Sequence, residues 1–274
     1  MGGFSFASDM FSVGVVLFEM ATGALPDSSL DRDQLLASIN DEAKCELISF
    51  ALHDDPSERP TAEKLLHKII ELAPASALPS TLRAGMLSVP KLIRVAPPQL
   101  KLGVIIGHGH FATVYRAEYT TIIDNDERSQ RPAAFKQFDP KALASKQDVA
   151  SVQREIDLLT TIHHPNIIEV LGVVTEPSKD IGLGIVLELA ELGSLHDVLT
   201  AGEPSLMLTL SGRLAAARDI ASAMHWLHHE IKPVPVIHRD LKSPNCACAR
   251  SVAHLLSSLF ASQASSSSSR AARA

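Results

Sequence analysis

The stretch Val236-Ile237-His238-Arg239-Asp240-Leu241-Lys242-Ser243-Pro244-Asn245 decides how this chain is read. An aspartate, a lysine two residues later and an asparagine five residues later share one loop. A long Ala-rich helical pattern at 214–229 precedes it. The trio supplies a base, a cation for a transferring phosphate and a metal ligand, a set suited to phosphoryl transfer. Each residue alone is ordinary; the ordered run is highly specific.

Towards the N-terminus lies Gly107-His108-Gly109-His110-Phe111-Ala112-Thr113-Val114, a glycine turn whose backbone N–H groups can approach a phosphate. Alone it reads equally well as an ordinary hairpin turn. A dinucleotide fold is disfavoured, because a strand follows the glycines where that fold needs a helix. Lys136 then stands in the apolar run Ala134-Phe135-Lys136, where a lone lysine by default snorkels or sits on an edge. Glu155, on the amphipathic stretch 148–162, is by default a solvated surface charge. It is followed by Leu158-Leu159 and then His163-His164-Pro165-Asn166-Ile167. The sequence of glycine turn, strand lysine, helix glutamate and this tail is far rarer by chance than any member.

Around these motifs the texture is of strands at 102–106, 113–119, 133–138, 167–174 and 184–189. Before residue 74 it is helical. A strongly apolar helix covers 9–24, entered at Ser8-Asp9 and closed by Gly23 with Pro26 beyond. Helical periodicity covers 33–52 and 61–73, the latter starting at Thr61 after a polar loop at 53–60. Between the halves, five of sixteen prolines fall within 74–98, the composition of an extended linker. After Arg250 the sequence decays to Ala and Ser, the composition of a disordered tail.

Composition narrows the function classes. Hydrophobic residues make up 46% and charged residues 20%, which a packed core requires and a disordered chain lacks. The net charge of −6 argues against a nucleic-acid binder that relies on a basic surface. Charge is uneven: residues 1–73 hold 5 basic and 13 acidic side chains, and 74–274 hold 20 and 18. Cys45, Cys246 and Cys248 cannot build a disulfide framework, and Cys246-Ala247-Cys248 lacks the spacing and second pair of a zinc site. No apolar run reaches the ~18 residues of a membrane span. The start, Met1-Gly2-Gly3-Phe4-Ser5-Phe6, has Phe6 where an N-myristoylation signal wants Ser or Thr. These features lead to the expectation of a soluble cytoplasmic protein.

Residues 101–245 resemble the first part of a eukaryotic protein kinase domain, and His238 to Asn245 resemble its tyrosine-kinase-like group. Lys242 matches the Ser/Thr-specific form of the loop. The resemblance implies an α+β fold, a small antiparallel-sheet lobe plus an incomplete helical lobe. It also implies ATP and Mg2+ as cofactors and a protein Ser/Thr hydroxyl as substrate. Carried over residue by residue, Lys136 would hold the α/β-phosphates and pair with Glu155, with Gly107 and Gly109 in the phosphate turn. Ile106, Val114 and Ala134 would pack on adenine, Leu187 would be the gatekeeper, and Glu188 to Ala190 the hinge. Asp240 would accept the substrate proton, Lys242 would neutralise the γ-phosphate, and Asn245 would bind magnesium.

Residues 7–73 resemble the C-terminal end of the same family. Ser8-Asp9-Met10-Phe11-Ser12-Val13-Gly14 looks like the start of the central large-lobe helix, with Asp9 bracing the catalytic-loop backbone. Asp55-Pro56-Ser57-Glu58-Arg59-Pro60 looks like the late loop whose arginine pairs with a glutamate ending the activation segment. The halves therefore stand in reversed order and the middle is missing: no Asp or Glu follows Asp240, so the family's Asp-Phe-Gly metal ligand has no counterpart. Ala112 replaces the third glycine, and Ala247 stands where a larger residue usually floors the adenine pocket.

The domain reading is 1–73 as a C-terminal lobe fragment, 74–100 as linker, 101–250 as a truncated kinase domain and 251–274 as tail. Three accounts fit it: the end of one kinase joined to the start of another, a non-catalytic nucleotide-binding pseudokinase, and a permuted kinase. In the third, residues 7–73 dock on 101–245, which a linker reaching about 80–90 Å permits. That account requires Asp9 within hydrogen-bonding reach of the His238-Arg239 backbone. In every account Arg59 is expected to lack its glutamate.

Overall fold

A computed structural model describes residues 4–72, 93–109, 112–122, 128–140, 156, 162–201, 209–231, 235–248 and 253–255. They fall into two compact units. One gathers the described residues of Met1–Ala84, His164–Ile167 and Glu191–Leu259; the other those of Gly85–His163 and Ile168–Ala190.

The second unit is a five-stranded antiparallel sheet with strand order β1-β2-β3-β5-β4. Its strands are β1 (Leu100–His108), β2 (Ala112–Ile122), β3 (Arg128–Phe138), β4 (Val170–Val174) and β5 (Gly184–Glu188). Alternation along β3 decides its two faces. Phe135 and Ala133 point into a core with Ala117, Tyr119, Val186, Leu171 and Val174, all buried. The intervening Ala134 and Lys136 take the other face, where Lys136 lies opposite Val114 of β2 and Ile185 of β5.

The range read from sequence as linker ends earlier in the structure. Val95 N–H donates to Val173 O at 2.8 Å and Val173 N–H to Ile93 O at 2.9 Å, so residues 93–95 run parallel to β4 as an added edge. Val95 is buried in the sheet core. The physical reason is Gly172: a Cβ there would lie 2.5 Å from Val95 Cγ2 and 2.7 Å from Ile93 O, so only glycine permits this approach. The prolines at 97 and 98 then form a short 3₁₀ turn into β1. Residues 73–92 of the linker lie outside the described residues.

The first unit is helical. Its helix α1 (Phe6–Thr22) starts earlier than the sequence reading. Ser5 Oγ accepts from Ser8 N–H and Ser8 Oγ accepts from Ser5 N–H, a reciprocal cap. Gly23, at φ +77°, closes the helix as expected. The stretch 33–52 is two helices, α2 (Arg32–Ala37) and α3 (Glu42–Ala51). Apolar periodicity runs on across the break, but Asp41 accepts from Lys44 N–H and restarts the chain as a new helix. Helix α4 (Ala62–Leu72) follows Thr61, whose hydroxyl accepts from Lys64 N–H.

The same unit holds α5 (Leu195–Thr200) and α6 (Leu210–His225), and α6 runs into a single π-helical turn at Trp226–Glu230. Helix α1 packs on α3 and α6, and α4 packs on α3 and α6. A hairpin ends the unit: β6 (Cys246–Cys248) pairs antiparallel with β7 (Ala253–Leu255). This strand corrects the reading of everything after residue 250 as tail. A local Ala/Ser composition says nothing about a partner strand, and here Cys246-Ala247-Cys248 supplies one. Residues 256–274 lie outside the described residues.

Candidate functional site

Within the sheet unit, the residues singled out for nucleotide contact share one strand system. Gly107 pairs with Val114, Val114 with Lys136, and Ala134 with Leu187, so the register brings them side by side. Ile106 is about half exposed on β1. Gly109 N–H donates to Ala112 O at 2.8 Å and closes the turn, whose tip His110-Phe111 lies outside the described residues. Among the described residues, a Cβ at 107 or 109 would meet only ordinary contacts, nearest at 3.7 and 3.5 Å, and neither residue has a positive φ. Glu188 ends β5 in a closed exchange with Glu169: its N–H donates to Glu169 O at 3.0 Å, and its Oε1 accepts from Glu169 N–H at 2.9 Å. Ala190 follows two residues on, part-buried. Glu155 and most of the stretch 148–162 lie outside the described residues; Ile156 there is helical and buried.

Within the helical unit, the loop after the π-helical turn is tightly knit. Lys242 Nζ lies 3.0 Å from Asp240 Oδ1. Asn245 Nδ2 donates to Asp240 Oδ2 at 3.0 Å and to Asp240 O at 2.7 Å. Ser243-Pro244-Asn245 form a 3₁₀ turn that leads into β6. The three residues of the opening motif are thus one hydrogen-bonded cluster, with half-exposed Lys242 at its edge.

The backbone of this loop is held from α1. Asp9, 1% exposed, accepts from His238 N–H at 2.7 Å and from Arg239 N–H at 2.9 Å. Its Oδ2 also lies 2.9 Å from His228 Nε2. Arg239 has φ +70°, the one non-glycine residue with positive φ among the described residues, a conformation that costs about 1–3 kcal/mol. The Asp9 carboxylate offsets that cost where it arises. Arg59 gives its guanidinium to main-chain carbonyls, Nε to His53 O at 2.8 Å and Nη1 to Ala7 O at 3.1 Å, and stacks over Phe11.

Beyond Asn245 the site turns apolar. Cys246, Ala247 and Cys248 are fully buried in β6. Burial drives both thiols up: Cys246 far above the usual range, reinforced by Cys248 and Glu19, and Cys248 to about 12, reinforced by Asp197.

The kinase family uses ATP and Mg2+ generally, and the donor set here does not fit the metal. Among the described residues no group of three His, Cys, Asp or Glu side chains is arranged to hold an ion. Asp240 already faces an ammonium, and the next 34 residues contain no carboxylate.

Two partners had no signal in the sequence. His228, ten residues before His238, reaches Asp9 because the π-helical turn sets it inward. Glu19, buried on α1, places its Oε1 3.1 Å from His196 Nδ1. Buried polar residues on an apolar helix are a weak clue to such contacts, and they name no partner.

Comparison with known proteins agrees with this geometry. The family described as protein tyrosine and serine/threonine kinase matches residues 100–258. Serine/threonine-protein kinase CTR1 of Arabidopsis thaliana is 33% identical over 147 residues, 51% of this chain and 15% of that protein. Serine/threonine-protein kinase TNNI3K of Homo sapiens is 32% identical over 165 residues, 60% of this chain and 18% of that protein. Calcium/calmodulin-regulated receptor-like kinase 2 of Arabidopsis thaliana is 34% identical over 141 residues, 52% and 29% respectively. The chain thus spans less than a third of the length of these relatives. Over more than half of its own length, from the sheet through the Asp240 loop, the chain belongs to the eukaryotic protein kinase family, in its tyrosine-kinase-like group.

Proposed function

We propose that this chain is a serine/threonine-type protein kinase module that holds an adenine nucleotide and, as written, transfers phosphate at close to the background rate. The sheet unit supplies the nucleotide contacts: Ile106, Val114 and Ala134 for adenine, Glu188 and Ala190 as hinge, and Lys136 with Glu155 for the phosphates. Gly107 and Gly109 support this reading, because no close contact among the described residues requires their missing side chains. The helical unit supplies Asp240 as base and Lys242 as phosphate cation. Protein Ser/Thr hydroxyls are the acceptors, as the names of CTR1 and TNNI3K and the lysine at 242 suggest. The setting is cytoplasmic, with three free thiols.

Residues 7–73 serve in cis as the lower part of the large lobe, the permuted account of the sequence. The carboxylate of Asp9 on the His238 and Arg239 amides supports it.

The observation that carries near-inactivity is the donor set. Phosphoryl transfer depends on positioned charge that spreads over the transferring group. Losing stabilisation of about 3–4 kcal/mol lowers the rate by a factor of about 10²–10³. The test is phosphate transfer from Mg·ATP to a generic protein acceptor by the purified chain, beside Asp240→Asn. Turnover equal to that of the variant is expected. Robust turnover abolished by the substitution overturns the proposal.

A further inference from the structure

We propose that this chain binds its adenine nucleotide without a divalent cation. The inference rests on the nucleotide-binding reading above and adds the form in which the nucleotide is taken.

Three features of the helical unit converge on it. First, the one carboxylate in the loop is spoken for: Asp240 Oδ1 faces Lys242 Nζ at 3.0 Å and Oδ2 accepts from Asn245 Nδ2 at 3.0 Å. A cation approaching Asp240 meets an ammonium already in place, and removing that partner leaves a charge to be rehydrated. Second, Asn245 offers a metal one neutral atom. Its amide nitrogen donates twice to Asp240, so only its carbonyl oxygen remains to face a metal, and a neutral amide is a poor sole ligand for Mg2+. Third, the hairpin that follows brings no replacement. β6 and β7 pair Cys246 with Leu255, so the chain returns beside the loop through Leu255, and residues 256–258 read Leu-Ser-Ser. Magnesium needs at least one or two carboxylates alongside phosphate oxygens and water. The cysteines of β6 do not substitute, being fully buried.

With the metal gone from the binding scheme, phosphate charge falls to the chain's own cations. Lys136 is the residue placed for this on the sheet, flanked by Val114 and Ile185. Binding then depends on Lys136 and the adenine contacts, and not on divalent ion.

The experiment is a calorimetric titration of the full chain with ATP, once with excess MgCl2 and once in EDTA, each repeated with Lys136→Met. Affinities within about threefold in the two buffers, both lowered tenfold or more by Lys136→Met, bear the proposal out; tenfold is ~1.4 kcal/mol. ATP binding in MgCl2 that falls tenfold or more in EDTA overturns it, while leaving the nucleotide-binding reading intact. No binding in either buffer, with the chain folded by circular dichroism, overturns the nucleotide-binding reading and this inference with it. A second measurement uses Mn2+ electron paramagnetic resonance on chain plus ATP. A Mn·ATP spectrum unchanged by the protein agrees with the proposal, and a protein-immobilised Mn2+ signal refutes it.

Discussion

Replacing Asp9 with alanine tests the link between the N-terminal helix and the motif loop. The carboxylate is 1% exposed and takes His238 N–H at 2.7 Å, Arg239 N–H at 2.9 Å and a His228 contact at 2.9 Å. Hydrogen bonds to a charged group contribute about 1.5–3 kcal/mol each, and an orphaned buried donor costs about 1–3 kcal/mol. The His238 amide is buried and pays this in full; the Arg239 amide, nearer solvent, pays part. With the left-handed backbone at Arg239 no longer held, the expected loss is about 3–5 kcal/mol, a large share of a domain's ~5–15 kcal/mol. The assay is built in, because Trp226 is the single tryptophan and sits in the π-helical turn of the helical unit. Urea unfolding followed by its fluorescence is expected to shift to a lower midpoint by about 1–5 M, given slopes of about 1–3 kcal/mol/M. Amide exchange at His238 and Arg239 is expected to accelerate by at least about 10²-fold. Asp9→Asn keeps the shape but turns an NH2 towards a backbone N–H, so it falls between wild type and alanine. A stability loss under about 0.5 kcal/mol, with unchanged exchange at those two amides, refutes the reasoning.

Gly172→Ala places a Cβ 2.5 Å from Val95 Cγ2 and is expected to cost about 1–3 kcal/mol by overpacking. Hydrogen exchange is expected to show residues 93–96 released from the edge of β4; protection equal to wild type counts against the close approach. A disulfide reagent at pH 8 is expected to titrate one thiol per native chain quickly, the half-buried Cys45. Cys246 and Cys248, held as thiols by burial, react only on unfolding. Three fast thiols in the native chain contradict the burial of β6.

What was legible in the sequence was local. Alternation at 113–119 and 133–138, the glycines at 107 and 109 and the apolar face of α1 each announce an element without help from the rest of the chain. The motif from His238 to Asn245 is legible because its chemistry is concentrated in eight residues. What escaped depends on distant partners. Prolines at 97 and 98 mark the stretch before β1 as linker, yet Ile93 and Val95 pair with Val173, some eighty residues away. Ala253–Leu255 hides in an Ala/Ser-rich segment because pairing with Cys246–Cys248 outweighs propensity. The break in 33–52 was concealed by apolar residues that keep the helical period across it. Ser8-Asp9 offers the same capping chemistry three residues after Ser5 and so hides the true cap; the structure uses Ser8 as the reciprocal partner and Asp9 as a buried anchor. The Lys136–Glu155 pairing falls outside the described residues.

The packing of α1 on α6 also imposes a timetable on synthesis. Helix α1 leaves the ribosome before α3 and α6, carrying Met10, Val13, Val16, Leu17, Phe18 and Met20, all buried in the finished fold. The helix that covers it ends at His225, about 200 residues later, which at roughly 5–20 residues per second is a wait of about 10–40 s. Helix α3 emerges within a few seconds and shields part of the apolar surface; the face meant for α6 stays open throughout. Such long-range closure slows folding and leaves nascent chains prone to pairing with one another. Producing this protein in quantity will therefore depend on a holdase chaperone that occupies α1 until α6 arrives.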